Sequence, residues 1–343
     1  MKHALSPKGC YRDAVRSSRK HVVRCLGLKW VAMMVSVPGP WAQRAWALPF
    51  LTVQCWPAKS PHQRRPKTSV DGVRQLTKQV RRWLPERLLV LVVDGGFAAV
   101  ALALACVDSQ VGMVARLRLD AALYHPPTPQ PPGQRGRKPT KGQRQRSLKV
   151  WAARSETPWQ ETAVAWPGGQ RKTLGVFSRI ALWSTPGWAP VTIRFVLVRD
   201  PEGKLPDAAF CCTALRATPA QILQGVVMRW SVAVAFEEAR AHLGMETQRQ
   251  WSDLATARPT PVLLRLFSLV TVLALRLHPT GQLPVETTAW YHNPEPTFSD
   301  CITLVRQHIW RARDLGNSAL PAEDVQLSRE AFEVLLNDLP LAA

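Results

Sequence analysis

Residues 88–107, LLVLVVDGGFAAVALALACV, decide the fold. The run is long enough to imitate a membrane span, yet Asp94 and the pair Gly95-Gly96 interrupt its centre, where a charge in hydrocarbon is costly. The reading that fits is a buried strand over Leu88–Val93 ending at Asp94, a tight glycine turn, and a helix over Phe97–Val107. A strand that hands an acid to a turn and then to a helix is the start of an α/β unit.

The flanks extend that unit. Upstream, His21–Val37 and Trp46–Val53 are β-branched or aromatic runs broken by the proline-rich VPGPW, and both read as buried strands. Thr68 or Ser69 caps a helix to Leu84 with Val73, Leu76, Val80 and Trp83 on one face. Downstream, Val111–Leu117 makes the next strand. From Tyr124 to Lys149 the chain is proline-rich and basic with no acid and no apolar period, so it reads as an extended arm. Glu161–Leu215 alternates apolar runs with PGG, TPGW and DPEG, the pattern of successive hairpins. The rest is helical: Thr218-Pro219 opens one helix, which carries on through RWSVAVAFEEARAHLG (Arg229–Gly244), and Thr260-Pro261 opens the very apolar LLRLFSLVTVLALRL. The expected divisions are 1–120, 121–217, 218–280 and a helical tail, 281–343.

The 343 residues carry 45 Lys+Arg against 24 Asp+Glu, a formal charge of +21 that exceeds what solubility needs and points to a polyanionic partner, nucleic acid first. The excess is uneven, since through Lys149 the acids are Asp13, Asp71, Glu86, Asp94, Asp108 and Asp120, whereas the last twenty or so residues are acidic and amphipathic. Seven cysteines with no C-x-x-C pair suggest neither a zinc site nor a disulfide framework, and a reduced cytoplasm is the expected compartment. No membrane association is expected.

A strand-helix-strand framework with an acid at a strand end, then a β-rich insertion, then a helix with acids, is the order of a ribonuclease H-like nuclease, in which two strand carboxylates and one helix carboxylate hold two Mg²⁺. The wording is more specific than the order. GCYRDAVRSSRKH, WALPFLTV, VVDGGFA, RLRLDAALYHPP, GQRGRKP, IRFVLVRDPEG and FEEARAHLGMETQRQWSD closely resemble the bacterial insertion-sequence transposases of the DDE type, from Gly9 to Arg311. That resemblance implies an α/β fold, a ribonuclease H-like mixed sheet with flanking helices and a β-rich insertion. It also implies Mg²⁺ or Mn²⁺ as cofactor, transposon ends and target DNA as partners, and a homo-oligomer in a synaptic complex. It makes Asp94 the second catalytic acid and a metal ligand.

Two departures follow. The family's first Asp precedes the segment that here begins at Gly9, and only MKHALSPK, without an acid, lies ahead, so an N-terminally truncated copy lacking the first core strand is expected. Asp13 falls inside the motif after that strand and reads as a loop or surface charge. In the C-terminal motif a tyrosine, an arginine, the catalytic glutamate and a basic residue recur at fixed spacing, and here they fall on Val226, Arg229, Ala233 and Arg240. On a continuous helix 229, 233 and 240 share a face within about 40°, with a methyl where the acid belongs. Glu237, one turn on and about 40° around, is the substitute ligand to test, while Glu238 points about 140° away.

Other residues carry blander readings. Asp200 belongs to a Asp-Pro-x-Gly turn, Asp120 to a strand-end cap and His242 to the surface. The arm residues Arg135, Arg137, Lys138, Lys141, Arg144 and Arg146, with Arg229 and Arg240, are the expected DNA contacts. RGRKP resembles a minor-groove grip, but a non-specific phosphate-binding loop is preferred. Trp151, Trp159, Trp166, Trp183 and Trp188 are expected to pack the hairpins, with one stack on an unpaired base as the alternative. The expectation is a transposase-family protein that keeps DNA binding and is catalytically defective. The alternatives are an active transposase using Asp94 with Glu237, and a general nucleic-acid-binding protein.

Overall fold

A computed structural model of the chain describes residues 9–12, 16–17, 21–38, 42, 44–55, 68–128, 138–166, 170–247, 252–278, 283, 295–312, 328, 330 and 334. It divides into two compact units, one of Met1–Met33, Leu51–Trp230 and Gln250–Ala257, the other of Met34–Phe50, Ser231–Arg249 and Arg258–Ala343.

The first unit opens with β1 (Gly9–Arg12) and β2 (Arg24–Gly27), paired antiparallel. Next come β3 (Lys29–Pro38) and β4 (Ala45–Cys55), a second two-stranded sheet whose tip, from Met34 to Phe50, counts with the other unit. The helix α1 (Ser69–Trp83) starts at a capping box in which Thr68 Oγ1 accepts from Asp71 N–H at 3.1 Å and the Asp71 carboxylate accepts from Thr68 N–H at 3.2 Å. Gly72 lets this helix approach the sheet closely, since a Cβ there would lie 2.9 Å from Val53 Cγ1.

Residues 88–107 take the predicted order of strand, turn and helix, but the strand is not the buried one expected: Leu88 is 92% exposed and none of residues 90–93 is buried. The strand β5 (Val90–Val93) ends at Asp94, Gly95–Phe97 forms a 3-10 turn, and α2 (Val100–Asp108) follows. Then β6 (Gly112–Leu117) returns parallel to β5, Val90 opposite Gly112 and Val93 opposite Ala115. Arg81 ties the turns together. Its guanidinium donates to the carbonyls of Leu84, Pro85, Arg87, Ser109 and Gln110, groups left without helical partners where α1 and α2 end.

The remaining strands are β7 (Leu123–Tyr124), β8 (Gln160–Ala165), β9 (Arg171–Trp183), β10 (Val191–Arg199) and β11 (Ala208–Cys212). They complete a seven-stranded sheet in the order β5-β6-β11-β10-β9-β7, with β8 also on β9 and every pair except β5–β6 antiparallel. The expected run of hairpins is therefore present. Alternation fixes which residues face which layer. Met113, Ala115, Leu117, Ile193, Phe195 and Leu197 pack with α1 and α2, while Val114, Val196 and Val198 pack with Ile222 and Leu223 of α4 (Pro219–Met228) on the other face. This mixed sheet between helices is the α/β class expected.

Two expectations are corrected. The basic arm is not extended throughout: residues 142–145 fold back along β7, with His125 N–H to Gln143 O at 2.9 Å and Gln145 N–H to Leu123 O at 2.8 Å, and then feed α3 (Leu148–Ala153). Only Gly142 suits that approach, because a Cβ there would sit 2.4 Å from Pro126 O. The helix carrying RWSVAVAFEEARAHLG is not continuous. It stops at Met228, where Trp230 N–H closes on Val227 O at 3.0 Å, a tightened last turn, and Trp230 meets the Trp166 ring edge-on at 5.1 Å.

The second unit holds α5 (Ser231–Leu243), α7 (Pro259–Leu277) and α8 (Phe298–Ala312), while the short α6 (Asp253–Ala257) counts with the first. Its core gathers Trp46, Ala235, Phe267, Ala274, Phe298, Cys301 and Leu304, with the Phe267 and Phe298 rings 4.3 Å apart. Among the described residues Leu254–Leu277 is one stretch long and apolar enough to cross a membrane by length and composition, yet its Leu264, Phe267, Thr271 and Ala274 side is buried within this unit.

Candidate functional site

Asp94 stands at the carboxyl end of β5, exposed, and serves as the N-cap of the 3-10 turn: its Oδ1 accepts from Gly96 N–H at 2.7 Å. The parallel neighbour β6 ends beside it. A Cβ built on Gly95 would lie 3.8 Å from Arg116 Cβ, so an exposed arginine borders the acid's turn. Just past β6, Arg118 grips Asp120 through two bonds of 2.7 and 2.5 Å, both side chains largely exposed. Asp120 is thus an ion-pair partner for Arg118.

The family's glutamate slot lies in the other unit. On α5, Ala233, Glu237 and Arg240 are all exposed, and Arg240 Nε donates to Glu246 at 2.9 Å. Arg229 caps α4 instead, so the angular relation expected of a continuous helix holds only between Ala233 and Arg240. Glu238 is the more buried of the paired glutamates. Burial pushes its carboxyl above the usual range, and the neighbouring His242, Nε2 at 3.2 Å, and Arg44 pull the other way. The cavity beside Glu238, lined by Arg44, Trp46, Ser231, Ala235 and Phe267, holds about 20 Å³, room for one water.

These donors do not fit a two-metal centre. Among the described residues no three His, Cys, Asp or Glu side chains gather as a metal site, and two divalent ions need several carboxylate oxygens at once. Asp13 lies outside the described residues.

The basic face is better formed. Lys138, Lys141, Arg144 and Arg146 are exposed where the arm folds back, Tyr124 bridges to Arg144, and Lys141 Nζ stands 4.2 Å above the Tyr124 ring and 3.4 Å from Ser184 Oγ. Arg146 and Arg179 both overlie Trp151, at 5.9 and 5.1 Å. Among the described residues none of these five cations forms an ion pair, which leaves their charge available to a polyanion. Arg135 and Arg137 lie outside the described residues. Arg179 was not singled out from sequence; its one signal is the polar pair Ser178-Arg179 breaking the apolar run of β9.

The insertion's other polar residues are structural. Asp200 is buried at the end of β10, where it accepts from Lys172 Nζ at 2.8 Å and from the N–H groups of Glu202 and Leu205, and the Lys172 bond holds its carboxyl below the usual range. That is the turn role expected of it. Trp151 packs on Phe177 at 5.1 Å, Trp183 is buried, and Trp188 is half exposed with the Arg74 guanidinium 5.7 Å from its ring.

Residues 11–173 match the family model of the DDE superfamily endonuclease, a little under half of the chain. The match takes in Asp94, the parallel β5–β6 pair and the arm, and it supports a DDE-type transposase or endonuclease with a ribonuclease H-like sheet. No curated protein matches the chain.

Proposed function

We propose that this chain is a transposase-family protein of the insertion-sequence type that retains DNA binding and is catalytically defective. The observation that carries the reading is Ala233: a methyl occupies the slot where the resembled family holds its last metal-binding glutamate. The sheet supports it from the other side. Among the described residues β5 is paired on one edge only, and Leu88 and Val90 beside that edge are 92% and 53% exposed. An all-apolar run normally belongs to a strand with neighbours on both sides, so the open edge of β5 is where a strand carrying the first acid would pair beside Asp94. The partners are element ends and target DNA, engaged by the exposed cations around Tyr124 and Trp151; the divalent ion of intact relatives has no complete donor set among the described residues; and the compartment is the cytoplasm.

A supercoiled-plasmid cleavage and strand-transfer assay with Mg²⁺ or Mn²⁺, run beside Asp94→Ala, tests the reading. No product from either protein is expected. Metal-dependent joining that vanishes in Asp94→Ala would establish the active alternative, with Glu237 as the acid to mutate next. Gel shifts of element ends against random DNA across a salt series separate the general-binder alternative, which predicts no preference for ends.

A further inference from the structure

In the second unit, α7 buries one side and leaves the other open. Val262, Leu266 and Leu269 are 58%, 38% and 55% exposed. At about 100° per residue they fall within roughly 60° of one another, a single apolar stripe. Arg258, Arg265 and Arg276, all exposed, lie along one border of that stripe within about 20° of one another. The helix carries no acid. At its amino end the stripe runs into an open groove of about 400 Å³ lined by Leu243, Gly244, Thr247, Arg258, Pro259 and Val262.

An apolar stripe edged by arginines fits an acidic amphipathic helix. The chain supplies one. Residues 322–339, AEDVQLSREAFEVLLNDL, carry five acids and one arginine, and in helical spacing Val325, Phe332, Leu335, Leu336 and Leu339 share an arc of about 100°. Glu330 and Val334 are helical and exposed in the structure. They lie about 140° and 180° from Val325, on the side away from that apolar arc. Nine residues separate Ala312, where α8 ends, from Ala322, a tether that reaches about 30 Å when extended, the full length of α7.

We propose that the open face of α7 is the docking surface of the chain's own acidic C-terminal segment, residues 322–339. The segment lays its apolar arc on Val262, Leu266 and Leu269, with Asp324, which in helical spacing borders that arc about 20° beyond Leu335, towards the arginine row. Hydrogen exchange on the full-length protein tests this, with a synthetic peptide of residues 322–341 as the unprotected reference. Amides of 325–339 should exchange at least about tenfold more slowly in the protein than in the peptide. The double variant Leu266→Asp/Leu269→Asp should abolish that protection while leaving the amides of α8 protected, and Val334→Asp, on the outward side, should leave it intact. Peptide-like exchange in the full-length protein overturns the proposal, as does protection that survives the double variant. Protection that rises with protein concentration alongside a dimer mass in light scattering also overturns it, in favour of a second copy on this face.

Discussion

Asp94 and Ala233 define the catalytic question at the level of single side chains. The acid is exposed at a strand end, and its Oδ1 accepts from Gly96 N–H. Ala233 is exposed on a helix, so Ala233→Glu meets no core and costs under about 0.5 kcal/mol of helix propensity. Ala233→Glu alone is expected to leave plasmid cleavage undetectable, because among the described residues no other acid gathers with Asp94 into a metal site; cleavage gained with Mn²⁺ would show that the glutamate alone was lacking. Asp200 gives a stability prediction. Its carboxyl is held below the usual range chiefly by the Lys172 hydrogen bond, so its contribution is complete above the ordinary Asp pKa, near 3.9, and is lost as pH falls through the lower folded value. Lys172→Met should therefore lower Tm most at neutral pH, with the gap to the unmodified protein narrowing below about pH 4 in a melting series.

Among the elements, residues 88–107 were legible because a charge and two glycines punctuate an otherwise uniform apolar run, and the hairpins of 161–215 because period two and Pro-Gly turns coincide. Other features were not. The break at Arg229-Trp230 has no Pro or Gly at the break itself, and what marks it is tertiary, the Trp230 ring against Trp166. The return of 142–145 along β7 was hidden by a composition that argues against regular structure, since its hydrogen bonds are backbone ones that composition does not report. The exposed edge of β5 was equally opaque, because an all-apolar run reads as an interior strand. At the candidate site, Asp94 was visible as a strand-end acid, whereas Arg179 was not, because its place over Trp151 depends on which strand lies beside α3. Arg81 is the same kind of residue. Five carbonyls converge on one guanidinium, and hydrogen bonds to a charged group are worth about 1.5–3 kcal/mol each before solvent exposure reduces them. Arg81→Met should cost about 2–3 kcal/mol in urea unfolding. Arg81→Lys should recover only part of that, since an ammonium cannot reproduce the planar fork.

Across the whole molecule the charge of +21 makes binding strength a function of salt, and the slope of that dependence counts contacts. Each phosphate neutralised on duplex DNA contributes about −0.9 to the slope of log K against log salt concentration. If Lys141, Arg144, Arg146 and Arg179 each meet one phosphate, replacing all four with glutamine should make the slope shallower by about 3 to 4 and weaken binding most at low salt. The aromatic rings beneath Lys141, Arg146 and Arg179 remain, so the fold around Tyr124 and Trp151 should persist and the loss is attributable to charge. Arg118→Gln is the internal control, because Arg118 is already neutralised by Asp120 and its removal should barely move the slope. The measurement is a filter-binding or anisotropy titration of one duplex at several salt concentrations for the parent, the quadruple variant and the control. An unchanged slope in the quadruple variant would mean that the DNA lies on another basic surface. A slope equally reduced by Arg118→Gln would mean that net charge, not this face, governs binding.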